Sequence, residues 1–304
     1  MDHFKTSGII PPIITPLTGT SNLDRNALER IIDHVITGGV NGIFLLGSTG
    51  EGASLIHEVR KHVIEAGVKW ISNRVPVYIN ITSTSHLDSL RLAEFASLAG
   101  AEFGVLAPPF YFEMNQNELM RFYTEVADRS PLPLLLYNAP QYTKTSIKPK
   151  TVRKLASHQN IVGIKDSSGN MNYIRQLVET RQNESFSILV GPELMLSECL
   201  LFGCDGGICG GANLYPGLYA KIYQTALEEN REELKSYQIL LEQINTNVYQ
   251  TIDSPMRIPI GIKYILSLKG ICSQHMAIPV HDELSGDQKN LMDNLETKFL
   301  KLGY

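Results

Sequence analysis

The sequence predicts an α/β protein built as a (β/α)8 TIM barrel with additional C-terminal helices. Three observations carry that expectation. Apolar runs of strand length alternate with segments of helical period eight times over roughly 225 residues, close to the usual span of such a barrel. Most of the runs lack strict polar alternation, as strands covered on both faces do. No Gly-rich dinucleotide loop follows the first run, where Ile13-Ile14-Thr15-Pro16-Leu17 stands instead, so a doubly wound open sheet fits less well.

The eight runs cover residues 8–14, 42–46, 75–81, 102–106, 133–137, 160–164, 186–190 and 206–209. Between them the spacing changes to 3.6. Leu28, Ile31, Ile32, Val35 and Ile36 form one stripe, with Asp24 as N-cap and Gly38-Gly39 closing the segment. Leu119, Phe122, Tyr123, Val126 and Ala127 repeat the stripe behind Asn115 and Glu118, a cap and third-residue pair. Tyr173, Ile174, Leu177 and Val178 do so again after Asn170. Beyond residue 228 no strand run appears, and residues 232–247, 256–268 and 287–300 read as helices. The expected division is a catalytic barrel over 1–228 and a helical extension over 229–304 packed against it.

Composition narrows the partners. The chain has 304 residues, 43% hydrophobic and 19% charged, and its 27 Lys and Arg against 31 Asp and Glu leave a net charge of −4. No long single-sign run suggests a nucleic-acid groove or a polybasic membrane patch. The N-terminus lacks a signal pattern, and no run approaches the ~18 apolar residues of a membrane span, so a cytoplasmic protein is expected. Four cysteines are too few for a disulfide framework, and the five-residue spacing of Cys199, Cys204 and Cys209 does not suit zinc. They read as reduced thiols in or near the core.

In a barrel of this kind the C-terminal strand ends build the active site. The sixth run ends in Lys165, followed by Asp166-Ser167-Ser168-Gly169. A cation where a buried strand stops either lets the strand surface into water or, once partly desolvated, provides an amine able to attack a carbonyl. The second run ends in Gly47-Ser48-Thr49-Gly50-Glu51, small residues that expose backbone N–H groups beside two hydroxyls and suit a bound carboxylate or phosphate; a tight turn is the plain alternative. The fourth leads to Pro108-Pro109-Phe110-Tyr111-Phe112, a stiff aromatic loop serving as lid, interface plug or packing. The fifth ends in Tyr137, the seventh in Gly191-Pro192-Glu193, and the eighth opens into a glycine-rich loop ending at Asn213.

No strand end carries histidine. His57 and His62 are five residues apart, about 140° from sharing a helix face, so no ready metal-ligand set exists. A lysine, a tyrosine and a Ser-Thr pair at one barrel mouth fit Schiff-base chemistry on a 2-oxo acid, with the protonated imine as electron sink. No metal or cofactor is expected.

Gly47-Ser48-Thr49-Gly50-Glu51, Tyr137-Asn138-x-Pro140 and Gly163-Ile164-Lys165-Asp166, in this order, resemble the dihydrodipicolinate synthase and N-acetylneuraminate lyase family of pyruvate-dependent class I aldolases. The resemblance covers nearly the whole chain. It implies that Lys165 forms the imine, that Tyr137 relays protons, and that Ser48 and Thr49, with Gly47 in the same loop, hold the pyruvate carboxylate. Ser48 would link Tyr137 to Tyr111, a tyrosine that in many members completes the neighbouring subunit's relay in a tetramer of tight dimers. Ile208 would line the imine pocket. Tyr142 stands where the synthases carry a carboxylate-binding arginine, which a phenol cannot replace. The aldehyde half of the substrate would be read by loop residues such as Tyr142, Glu193 and Asn213, with Gly191 a further substrate-binding candidate. A 2-oxo-3-deoxy sugar acid or 4-hydroxy-2-oxo acid is the expected substrate; the alternatives are 4-hydroxytetrahydrodipicolinate synthase, N-acetylneuraminate lyase, or a non-catalytic 2-oxo acid sensor.

Overall fold

The computed structural model describes residues 5–181, 184–278 and 283–304. Eight parallel strands form one sheet: β1 (Gly8–Ile9), β2 (Ile43–Leu45), β3 (Val77–Asn80), β4 (Phe103–Leu106), β5 (Leu134–Asn138), β6 (Ile161–Asp166), β7 (Ser187–Val190) and β8 (Gly206–Gly207). Strands β2 to β8 are neighbours in chain order, and β8 pairs with β1. An isolated parallel bridge between Pro12 and Phe44 joins the chain after β1 to β2. The sheet thus curls back on itself as a barrel, and all strand C-termini open on one face.

Strands β1 and β8 keep only two residues each of their apolar runs. After Ile9 the segment meets Pro11 and Pro12, which have no N–H to donate, so pairing resumes only as the bridge at Phe44. Strand β8 stops at Gly207, and a 3-10 turn follows over Gly210–Asn213. At Gly206 a β-carbon would stand 2.1 Å from the carbonyl oxygen of Gly8, so glycine allows these two strands to meet. The sequence reading also missed a short hairpin, Leu17–Thr18 with Asn22–Leu23.

The anticipated caps are formed. Asp24 accepts from the Ala27 N–H at 3.0 Å at the head of helix Arg25–Thr37, and Asn115 and Glu118 make a capping box on helix Gln116–Arg129. Asn170 accepts from the Tyr173 N–H. These side chains satisfy donors that a helix start otherwise leaves open, at roughly 1 kcal/mol each.

Strand periodicity divides the core in two. Ile10, Phe44, Tyr78, Phe103, Leu135 and Leu189 fill the barrel interior, where the Tyr78 and Phe103 rings stack at 4.6 Å. The other strand faces, including Leu45, Ile79, Leu134 and Ile188, pack on the helix layer through residues such as Ile31, Val63 and Ile222. All four cysteines are buried and free.

After the last barrel helix, Pro216–Leu227, come helices Arg231–Ile244, Arg257–Leu268 and Gly286–Lys301. The helix expected over 232–247 changes character: its end is a π-helical turn, Asn245–Tyr249. Such turns recur at functional sites. Among the described residues no helix is long and apolar enough to cross a membrane.

Candidate active site

Strands β5 and β6 lie in register so that Tyr137 pairs with Lys165 and Asn138 with Asp166. Because side chains alternate along a strand, the two pairs face opposite ways. Tyr137 belongs to the interior cluster, and the Lys165 Nζ sits 4.4 Å from the centre of its ring and 5.1 Å from that of Phe44. Lys165 is 4% exposed, and among the described residues no carboxylate reaches ion-pair distance of it.

The outward pair is fully used by the fold. Asn138 donates to Asp166 Oδ1 at 2.6 Å and accepts from the Ile147 N–H at 3.0 Å, while the Ser168 hydroxyl donates to Asp166 Oδ2 at 2.8 Å. Burial pushes the Asp166 carboxyl up from its ordinary value, partly offset by these bonds. The pair pins together the strand ends that carry Tyr137 and Lys165.

The loop after β2 brings up the hydroxyls. Ser48 Oγ lies 3.3 Å from the Tyr137 hydroxyl. The backbone here is tightly wound: Leu46 and Glu51 have φ of 61° and 56°, a left-handed conformation costly for residues with a β-carbon. At Gly52 a β-carbon would fall 1.9 Å from the Leu46 carbonyl oxygen. Contacts from elsewhere in the chain hold the loop: Asn80 donates to the Leu46 carbonyl, Thr15 to the Gly50 carbonyl, and Lys263 and the Ala277 N–H to the Glu51 carboxylate.

A cavity of about 350 Å³ opens above Lys165 and is lined by Ser48, Thr49, Tyr137, Tyr142, Gly191, Glu193 and Ile208. These are seven of the ten anticipated site residues besides Lys165 itself. Gly47 is not on the wall; it lies under the loop, where a β-carbon would meet the Phe44 ring at 2.7 Å. Tyr111 is 76% exposed, edge-on to Phe112 at 4.9 Å, and makes no hydrogen bond to Ser48 or Tyr137 among the described residues.

Glu193 lines the wall, yet its carboxylate is already engaged. One oxygen accepts from the Gly211 N–H at 2.6 Å and the other from the Tyr219 hydroxyl. The residue as a whole is partly exposed, but its carboxylate is enclosed, and burial pushes its pKa up. Asn213 differs from expectation outright. It is 0% exposed and fully bonded to backbone, accepting from Ile14 and donating to the Pro12 and Gly210 carbonyls, so it ties strand ends together instead of reading a ligand.

The sequence reading missed the contribution of the C-terminal helices. Leu241, Asn245, Tyr249, Arg257 and Ile258 complete the cavity wall. Neither periodicity nor motif spacing pointed to them; the one available signal was Lys263, a cation within an apolar helix. Among the described residues no group of three or more His, Cys, Asp or Glu is placed to hold a metal ion.

A parallel barrel with a buried amine, unpaired among the described residues, beside a phenol at its C-terminal mouth is the arrangement of a class I aldolase or lyase. The chain belongs to the dihydrodipicolinate synthetase family, whose model matches residues 5–298. It is 34% identical to 4-hydroxy-tetrahydrodipicolinate synthase of Methanoculleus marisnigri over 91% of this chain and 94% of that one. It superposes on the dihydrodipicolinate synthase of Bacteroides thetaiotaomicron with a TM-score of 0.92 and 38% identity, over 96% and 98% of the two chains. YagE of Escherichia coli, provisionally named a 2-dehydro-3-deoxy-D-gluconate aldolase, is 31% identical over 95% of this chain and 97% of its own. Its structure in complex with pyruvate matches with a TM-score of 0.89, covering 98% of each chain.

Proposed function

We propose that the protein cleaves, forms or dehydrates a 2-oxo-3-deoxy sugar acid or related 4-hydroxy-2-oxo acid through an imine on Lys165. The observation that carries this reading is the buried Lys165 amine, free of any ion pair among the described residues, 4.4 Å from the Tyr137 ring. Ser48 and Thr49, on the same wall, receive the 1-carboxylate.

The amine adds to the C2 carbonyl, and loss of water gives the protonated imine. In the aldol direction Tyr137 takes the proton of the 4-hydroxyl, the C3–C4 bond breaks, and its electron pair enters the imine to give an enamine and an aldehyde. The enamine is protonated at C3, and water then releases pyruvate and the free amine. Dehydration begins from the same imine, losing a proton from C3 and the 4-hydroxyl as water. Tyr142, a phenol where the synthases of the family carry arginine, favours sugar acids over aspartate semialdehyde. The exposed Tyr111 and Phe112 support association of copies through that loop, as a dimer or tetramer; the barrel over 1–228 would hold the chemistry and the extension over 229–304 would close its wall.

Incubation with pyruvate and borohydride tests the core of this reading. A reduced adduct is expected on Lys165 and none in Lys165→Ala. An adduct missing from the native chain, or persisting in the variant, refutes it. Pyruvate release across a panel of 2-oxo acids then selects the substrate.

A further inference from the structure

We infer that Arg257 is a specificity residue that binds an anionic group, carboxylate or phosphate, at the end of the substrate remote from the imine. This rests on the functional reading above and narrows its substrate class. The cavity over Lys165 holds one strongly basic side chain besides that lysine among the described residues, and it is Arg257, at the start of helix Arg257–Leu268. Its guanidinium is exposed and has no hydrogen bond or ion pair among the described residues. Asp253, four residues earlier and itself exposed, does not pair with it, and the first turn of its helix contains no acidic residue.

The acidic groups of the neighbourhood are committed elsewhere. Glu193 on the same wall is bonded to Gly211 and Tyr219, and Glu51 is closed off by Lys263 and Ala277. A planar, permanently charged group with five donors therefore lines the cavity, and among the described residues no anion receives them. Tyr142 lines the same wall and contributes a hydroxyl but no charge.

A bound sugar acid has its 1-carboxylate at the Ser48 and Thr49 loop and its C2 at Lys165. A second anion at its far end would meet Arg257 at the cavity mouth, where the planar guanidinium can make paired, charge-assisted bonds to a carboxylate or phosphate. A neutral hydroxymethyl end leaves the guanidinium in water and gains little.

Three six-carbon acids identical except at C6 test this: 2-oxo-3-deoxygluconate, its 6-phosphate, and 2-oxo-3-deoxyglucarate. Their Kd values are measured by calorimetry in a Lys165→Met background, which blocks imine formation and turnover, with folding checked by circular dichroism. At least one anionic acid is expected to bind about tenfold or more tightly than the neutral one. Which of them does so separates carboxylate from phosphate. Adding Arg257→Met should erase that preference while moving the neutral acid less than twofold, and Arg257→Lys should restore part of it. Equal Kd values for all three acids, or a preference that survives Arg257→Met, overturns the inference. The pyruvate adduct on Lys165, measured in chains with the native lysine, should be unchanged by Arg257→Met. Absence of the adduct from the native chain itself counts against the imine reading and leaves the calorimetric result standing, whereas loss only on Arg257→Met would overturn the assignment of Arg257 to the remote end.

Discussion

Glu51 and Lys263, 212 residues apart and both fully buried, form an ion pair at 2.5 Å that joins the Ser48-Thr49 loop to the C-terminal helices. Each partner has a further anchor: Glu51 accepts from the Ala277 N–H at 2.7 Å, and Lys263 donates to the His275 carbonyl at 2.6 Å. Removing one partner leaves a charge stranded where solvation is poor. Lys263→Met should cost about 3–5 kcal/mol in urea unfolding, and adding Glu51→Gln should recover at least ~1 kcal/mol of it. Strictly additive losses would show that the two charges do not depend on each other.

The contact between Ser48 and Tyr137 gives a kinetic prediction. Tyr137→Phe removes the hydroxyl proposed to carry the proton and should lower kcat by about 10² to 10⁴. Ser48→Ala leaves the phenol in place without its neighbour, so a smaller loss, on the order of tenfold, is expected. Steady-state rates on whichever 2-oxo acid releases pyruvate decide it; a Tyr137→Phe enzyme within threefold of native would remove the tyrosine from the proton path.

Glu193 carries a pH signature. Its carboxyl is raised above 4.5 chiefly because it is withdrawn from water, with the Tyr219 and Gly211 bonds offsetting part of the effect. The folded chain therefore keeps this proton to higher pH than the unfolded chain does. Its stabilising contribution is greatest below pH 4.5 and declines as pH rises from there through the folded value. Glu193→Gln should flatten that decline, so native and variant urea midpoints diverge across the window. Asp166 is raised in the same sense and is present in both proteins, so the difference isolates Glu193. Parallel midpoint curves would mean that the carboxylate ionises as it does in water.

Strand and helix order, the caps and the residues at strand ends were legible because each depends on neighbours a few positions away. Asp24, Asn115 and Asn170 cap their helices as their spacing announces. Lys165 and Tyr137 share a barrel mouth because each closes an apolar run. What eluded local reading depends on partners distant in sequence. Arg257 reaches the wall only because its helix folds over the barrel mouth, and Asn213 is consumed by Pro12 and Ile14, about two hundred positions away. Glu193 was visible as a carboxylate after β7, but its commitment to Tyr219 is a matter of packing. The short β1 and β8 follow from local chemistry, prolines in one and close backbone approach in the other, that an apolar tally does not weigh.

The register of β5 against β6 has a consequence for how this site tolerates change. The proposed reactive pair and the structural pair occupy consecutive rungs on the same two strands, Tyr137 with Lys165 and Asn138 with Asp166. A slip of one residue in either strand would turn Tyr137 or Lys165 out toward the helices and bring Asn138 or Asp166 into the barrel. Insertions and deletions within these strands are therefore disallowed in single steps, whereas the cavity wall built by the C-terminal helices is free of that constraint. Substrate range can drift through the extension while the proposed chemistry stays locked to one rung, held by the structural rung beside it.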